Sequence, residues 1–312
     1  MTLNSTAPQP APARAAPRPP IAAVVLALVM LAGAALAPQG AVAAEDDGDA
    51  VPDAWMETLW APFQSMLDTH LEEKTTERGG LVSAFDYRAA LDDERTADWL
   101  ETQSRRLAEF DRDRLDQREI AVAFWLNAYN YFMIEYILQN PHRGELIDSV
   151  RDYGHLFNPY RVFGREVFDV GGRKYSLSEI ENDVLLGDAF RDKGWKEARV
   201  HFTVNCASVG CPPLRTQIYL PENVDDLMTE NTRRALNTDR HLHRDGDTLR
   251  VSSLFDWYAS DYVDEEGSVE AFILAYADEE VREKVENTRR MRFIDYDWTL
   301  NTPENFPEFN SR

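Results

Sequence analysis

The chain has two cysteines, and only five of its 312 residues are lysine. It lacks a Gly-rich phosphate loop, a G-x-S-x-G elbow and a dinucleotide fingerprint, so the common sequence signs of nucleotide binding and serine hydrolysis are missing. There is no second C-x-x-C and no H-E-x-x-H; His201 with the two cysteines would give at most three zinc ligands, and no metal or cofactor is expected. Positive charge is scarce as well. Lys and Arg total 33 against 55 Asp and Glu, a formal charge of −22. Nucleic-acid binding needs a basic patch to displace counterions, so the charge argues against it, and anionic lipid surfaces are equally disfavoured. After the first 43 residues no apolar run reaches membrane-spanning length. No internal repeat is present.

The N-terminus has its own pattern. Met1–Pro20 is Pro/Ala-rich with Arg14 and Arg18, Ile21–Ala37 is an unbroken apolar run, and Ala41-Val42-Ala43 supplies small residues. Charged, apolar and A-x-A regions in that order predict a signal peptide over 1–43, hence a periplasmic or secreted protein. An uncleaved N-terminal membrane anchor is the alternative, because the run nearly spans a bilayer. An acidic linker (44–52), a domain over 53–301 and a tail (302–312) follow. The acids are spread along the chain, as on a solvated surface.

Periodicity predicts an amphipathic helix over 53–73 and another over 96–110. Leu115–Gln139 is apolar around nearly its whole circumference, which predicts a buried central helix. Asn127 and Asn130 interrupt it. Val167–Val170, Gly171-Gly172 and Arg173–Tyr175 predict a hairpin with a primed turn. Capping boxes at Ser176 and Ser178 predict a helix to Leu186, with Gly187 at its C′ position. A helix is expected over 221–236, a strand over 248–252 and helices over 254–262 and 269–285, the last broken near Asp278. A strand is expected over 292–300. Helices outnumber strands, so the fold class is α+β, a helix-rich domain on a small, mainly antiparallel sheet.

Both cysteines lie in Arg199–Arg215. The stretch opens with β-branched alternation, predicting a half-buried strand headed by His201, and ends in a loop closed by Pro212-Pro213.

Five blocks stand in a recognisable order: Phe85-Asp86-Tyr87; Ala123–Asn130; Val170–Arg173 running into Leu177–Glu181; His201–Ser208 with Cys211–Arg215; and Tyr296-Asp297-Trp298 to Leu300-Asn301. Together they resemble the domain-of-unknown-function 547 family over roughly Trp55–Asn301. The resemblance implies no established activity. Many members carry a histidine after the Ile-Glu pair, where this chain has Asn182, which weakens a mechanism built on that histidine.

Chemistry at the cysteines has three readings. In an oxidising compartment, Cys206 and Cys211 with four residues between them can form a disulfide. Alternatively, Cys211 or Cys206 is a nucleophile with His201 as base, and Glu181 is a partly buried acid–base carboxylate that Arg215 could pair with. In a strand, His201 and Cys206 point to opposite faces about 16 Å apart, which argues against a direct dyad. Metal binding is the third reading. Two functions stay open. One is a ligand-binding or scaffold module for a small molecule or protein, its groove lined by Asn127, Asn130, Asn205 and Arg215. The other is a papain-like or transglutaminase-like thiol enzyme.

Overall fold

The structure, a computed structural model, describes residues 54–310. The expected signal peptide and acidic linker lie outside the described residues.

Helix α1 (Trp55–His70) turns Trp60, Phe63, Met66 and Leu67 inward. It ends three residues before the expected point, because the chain continues as β1 (Leu71–Thr75), which pairs antiparallel with β2 (Leu81–Phe85). Two capped helices follow. The Asp86 side chain caps α2 (Tyr87–Asp92), and Asp93 caps α3 (Glu94–Ala108), each accepting an otherwise unpaired N–H of the first turn.

Helix α4 (Arg118–Gln139) is the axis of the molecule. Every residue from Ala121 to Leu138 is buried. Trp60, Phe63, Leu107 and Phe110 from α1 and the α3 region share its core. At roughly 1.5–3 kcal/mol per large apolar side chain, this burial is the main stabilising term of the domain. The polar exceptions on α4 are paired. Glu135 accepts from the Tyr131 hydroxyl at 3.1 Å and from Ser104.

The expected hairpin is present as β3 (Phe168–Val170) and β4 (Arg173–Tyr175), with Gly171 and Gly172 at φ 58° and 74°. Beyond it, Glu179–Leu185 is a π-helix in which the Leu186 N–H reaches the Glu181 carbonyl five residues back. Only one element of the expected capping boxes forms, the Ser176 hydroxyl accepting from the Glu179 N–H. Gly187 is not a left-handed C′ residue. It has φ −78° and precedes α5 (Asp188–Asp192), and a Cβ there would sit 1.9 Å from the Asp183 carbonyl oxygen. Close approach, not dihedral freedom, requires the glycine.

The predicted His201 strand is absent. Ala198–Phe202 is a 3-10 turn, with the Thr203 N–H on the Val200 carbonyl at 2.9 Å. The alternation was real and had another cause. Val200 and Val204 enter the core around α4, whereas Ala198 and Phe202 enter a second core. A turn wedged between two cores produces the same period of two as a strand with one buried face.

That second core belongs to the C-terminal half. Helix α6 (Val224–Leu236) leads to β5 (Leu242–Asp245) and β6 (Thr248–Ser252), then α7 (Leu254–Trp257), α8 (Ala259–Glu266), α9 (Val269–Tyr276), α10 (Glu279–Glu286) and β7 (Arg290–Ile294). The break expected near Asp278 exists, with Asp278 capping α10. β5 and β6 are antiparallel, while β6 and β7 are parallel. The α+β class therefore holds, but among the described residues the strands form three separate small sheets, none of which contains His201. The chain from Asp295 onward leaves the last sheet and returns to the cysteine loop through a Ser208–Leu300 bridge. No helix among the described residues is long and apolar enough to cross a membrane.

Candidate functional site

The loop from Thr203 to Arg215 is held by amides. Asn130 of α4 donates to the Thr203 carbonyl and accepts from the Asn205 N–H. Asn127, one turn earlier, clamps Tyr219 through both its N–H and its carbonyl. Asn205 donates to the Pro212 carbonyl and accepts from Ala207 N–H and the Asn301 amide. Asn231 of α6 donates to the Phe202 and Pro213 carbonyls. All these asparagines are buried, and most of their polar groups are spent on main chain that forms no regular ladder. Of the four residues expected to line a groove, Asn130 and Asn205 frame the loop and Asn127 holds the chain just beyond it. Ala207 sits in the left-handed region at φ 58°, a strained position for a residue with a Cβ.

Cys206 and Cys211 are joined by a disulfide, with Cα atoms 6.2 Å apart. The Tyr296 hydroxyl lies 3.0 Å from Cys211 Sγ and 3.1 Å from Cys206 Sγ. Ser208 Oγ lies 3.2 Å from the Tyr296 oxygen, and the Cys206 N–H lies 2.9 Å from Cys211 Sγ. Burial, chiefly, pushes the Tyr296 phenol well above its ordinary value, so it is a neutral donor throughout the physiological range.

His201 stands on the seam between the two cores, its side chain fully buried. Its Nε2 is 2.8 Å from Asp261 of α8, and Nδ1 faces Glu181 of the π-helix at 3.5 Å, too long for a well-formed hydrogen bond. The Tyr258 ring stacks on the imidazole at 3.8 Å. Burial acts to lower the His201 pKa, but Asp261 and Glu181 together outweigh it and the pKa is raised. Burial likewise opposes ionisation of Asp261, yet His201 and Lys196 bring its carboxyl down to about 2. The phenols of Tyr129 and Tyr258 are both raised, first by burial and then by the Glu181 carboxylate. A π-helix is rare and is enriched at functional sites, so its coincidence with this buried carboxylate marks the site.

Outside the loop lies an aromatic face. The Trp298 ring is 4.5 Å from Tyr296, 4.9 Å from Tyr160 and 5.8 Å from Trp257, centroid to centroid. All four residues are half-exposed, and Asp256, Asp295 and Asp297 around them are exposed.

Of the sequence-predicted site residues, His201 and Glu181 come together, and so do Cys206 and Cys211. Arg215 does not pair with Glu181. It meets Glu73 at 3.1 Å and Glu230 at 3.5 Å, because the double proline turns it toward α6 and β1. His241 is buried with Nδ1 2.9 Å from Thr238 Oγ1, whereas His243 is nearer solvent. Among the described residues no three His, Cys, Asp or Glu side chains are grouped to hold a metal. Tyr129, Tyr258 and Asp261 were missed. Tyr129 reads as core, and the α7–α8 segment as one plain amphipathic helix. Tyr296 had a signal, as the head of the Tyr-Asp-Trp block.

Residues 113–235 match the family model described as "Protein of unknown function, DUF547". The resemblance thus holds from just before α4 to the end of α6, a narrower span than Trp55–Asn301. No curated protein and no solved structure matched the chain.

Proposed function

We propose that this chain, with its DUF547 segment running from the central helix through the disulfide loop, is an exported ligand-binding module. Its contact face is the aromatic surface of Tyr160, Trp257, Tyr296 and Trp298. One observation carries the reading: four mutually packed rings from three separate chain segments stay half-exposed on a frame fixed by a disulfide and buried amides. Exposed, clustered aromatic area on a rigid frame binds with little ordering cost. The acidic rim and the charge of −22 select against anions, so the ligand is a neutral or cationic group with a flat apolar face.

A papain-like or transglutaminase-like enzyme is not favoured. It needs a free thiolate beside an imidazole. Here both sulfurs share one bond, and both His201 nitrogens face carboxylates.

The seven tryptophan indole N–H signals provide the test. Titration with a neutral oligosaccharide and with tetramethylammonium is expected to move the Trp257 and Trp298 signals for at least one probe, leaving buried Trp60 and Trp125 fixed. If all seven stay in place with both probes, the aromatic face is not a binding surface for this chemistry. Thiol counting on the unfolded, unreduced protein is expected to give zero.

A further inference from the structure

The donors around the disulfide are unevenly shared. A disulfide sulfur is a weak acceptor and a purely structural bridge needs no donors. Yet the Tyr296 hydroxyl, itself 3.2 Å from Ser208 Oγ, is placed to donate to Cys211 Sγ at 3.0 Å. The Cys206 N–H adds a second donor to the same sulfur at 2.9 Å. Cys206 Sγ shares the two hydroxyls, with Tyr296 at 3.1 Å and Ser208 at 3.2 Å, but has no main-chain donor of its own. Cys206 is also half-exposed, while Cys211 is 7% exposed. Cys206 is the more open of the two; Cys211 is shielded, and its sulfur has both the Tyr296 hydroxyl and a main-chain N–H to stabilise negative charge. Glu181 and Asp297, whose negative charge adds to burial in raising the Tyr296 phenol, also oppose a thiolate beside it, so the two donors carry the stabilisation.

We propose that Cys206–Cys211 is an exchangeable disulfide that takes electrons from a dithiol, with Cys206 the sulfur attacked and Cys211 the leaving thiolate. This does not depend on the binding role of the aromatic face. An incoming thiolate attacks Cys206 Sγ, the Cys206–Cys211 bond breaks, and its electron pair passes to Cys211 Sγ, held by Tyr296 and the Cys206 N–H. The donor's second thiolate then attacks its own sulfur in the mixed disulfide. Cys206 leaves and takes a proton, Cys211 is protonated by solvent, and the donor departs oxidised to a disulfide. Lowering the leaving group's basicity speeds this step.

The test uses the whole oxidised protein without denaturant. After brief exposure to glutathione and an acid quench, peptide masses are expected to place the mixed disulfide on Cys206; an adduct on Cys211 alone overturns the assignment. Reduction by dithiothreitol at neutral pH is expected to slow about tenfold in Tyr296→Phe, which keeps the ring packing and removes the hydroxyl, and less in Ser208→Ala. Circular dichroism checks that both variants are folded. If a folded variant of either kind is reduced no more slowly than the parent, or if the parent is reduced only in denaturant, the bridge is structural alone. If Tyr296→Phe does not fold, Ser208→Ala decides the question by the same measure.

Discussion

Two buried histidines respond to pH in opposite directions. The His201 pKa is raised above 6.5, because Asp261 and Glu181 outweigh its burial. Its contribution to stability is full below the unfolded value and is lost as pH rises through the folded one. His241 is the reverse. Burial and Arg240 bring it from 6.5 to about 3, so its contribution is present above 6.5 and is lost as pH falls. His70, lowered by burial, adds to that acid-side loss. Melting temperature is therefore expected to peak near pH 6.5, the unfolded value of both groups. His201→Gln should flatten the alkaline side, and His241→Leu should flatten the side from 6.5 down to about pH 5. A parent profile that is level from pH 5 to 8 would refute both assignments. Asn130→Ala belongs to the same scale. It strips two bonds from buried loop backbone and should cost about 1–3 kcal/mol in denaturant melts, although the side chain touches no ligand face.

Among the elements, the central helix was the easiest to read and the His201 segment the hardest. An apolar run such as Ala121–Leu138 buries in the same way whatever packs on it, so composition alone locates it. The Gly171-Gly172 hairpin was equally legible, because few other sequences reach its dihedrals. The stretch Ala198–Val204 misled because alternation records only which side is buried, not what lies there. Asp261 and Tyr258 could not be associated with His201 from sequence, since about sixty residues separate them and their own helices show ordinary spacing. The π-helix had no sequence mark except Gly187, whose role emerged only with Asp183 packed against it. Gly187→Ala places a Cβ into that carbonyl and should destabilise the domain by about 1–3 kcal/mol. It should also disturb Glu181, read as a change in the Tyr258 environment by near-ultraviolet circular dichroism. A variant as stable as the parent would mean the turn relaxes freely. Opening the loop by Cys211→Ser removes a closed loop of six residues and should lower stability by about 2 kcal/mol.

At the scale of the whole molecule, charge and core architecture set behaviour. A charge of −22 repels itself in the compact state, while exposed pairs such as Arg78–Asp239 add little. Raising salt from about 0.01 to 0.15 M shortens the screening length from roughly 30 to 8 Å, so melting temperature should rise. A fall would mean that ion-pair networks, such as Arg118 and Arg199 on Asp225, dominate instead. The seam at Ala198–Val204 has a consequence of its own. Because successive apolar side chains there alternate between two cores, the segment sets a phase that the rest of the chain must keep. Substituting one residue changes one contact, but inserting or deleting one would move each apolar group out of its core position and put a polar neighbour, Arg199, His201 or Thr203, in its place. Length at this point is therefore more tightly constrained than identity. In a library of single insertions, this seven-residue stretch should be among the least permissive in the domain.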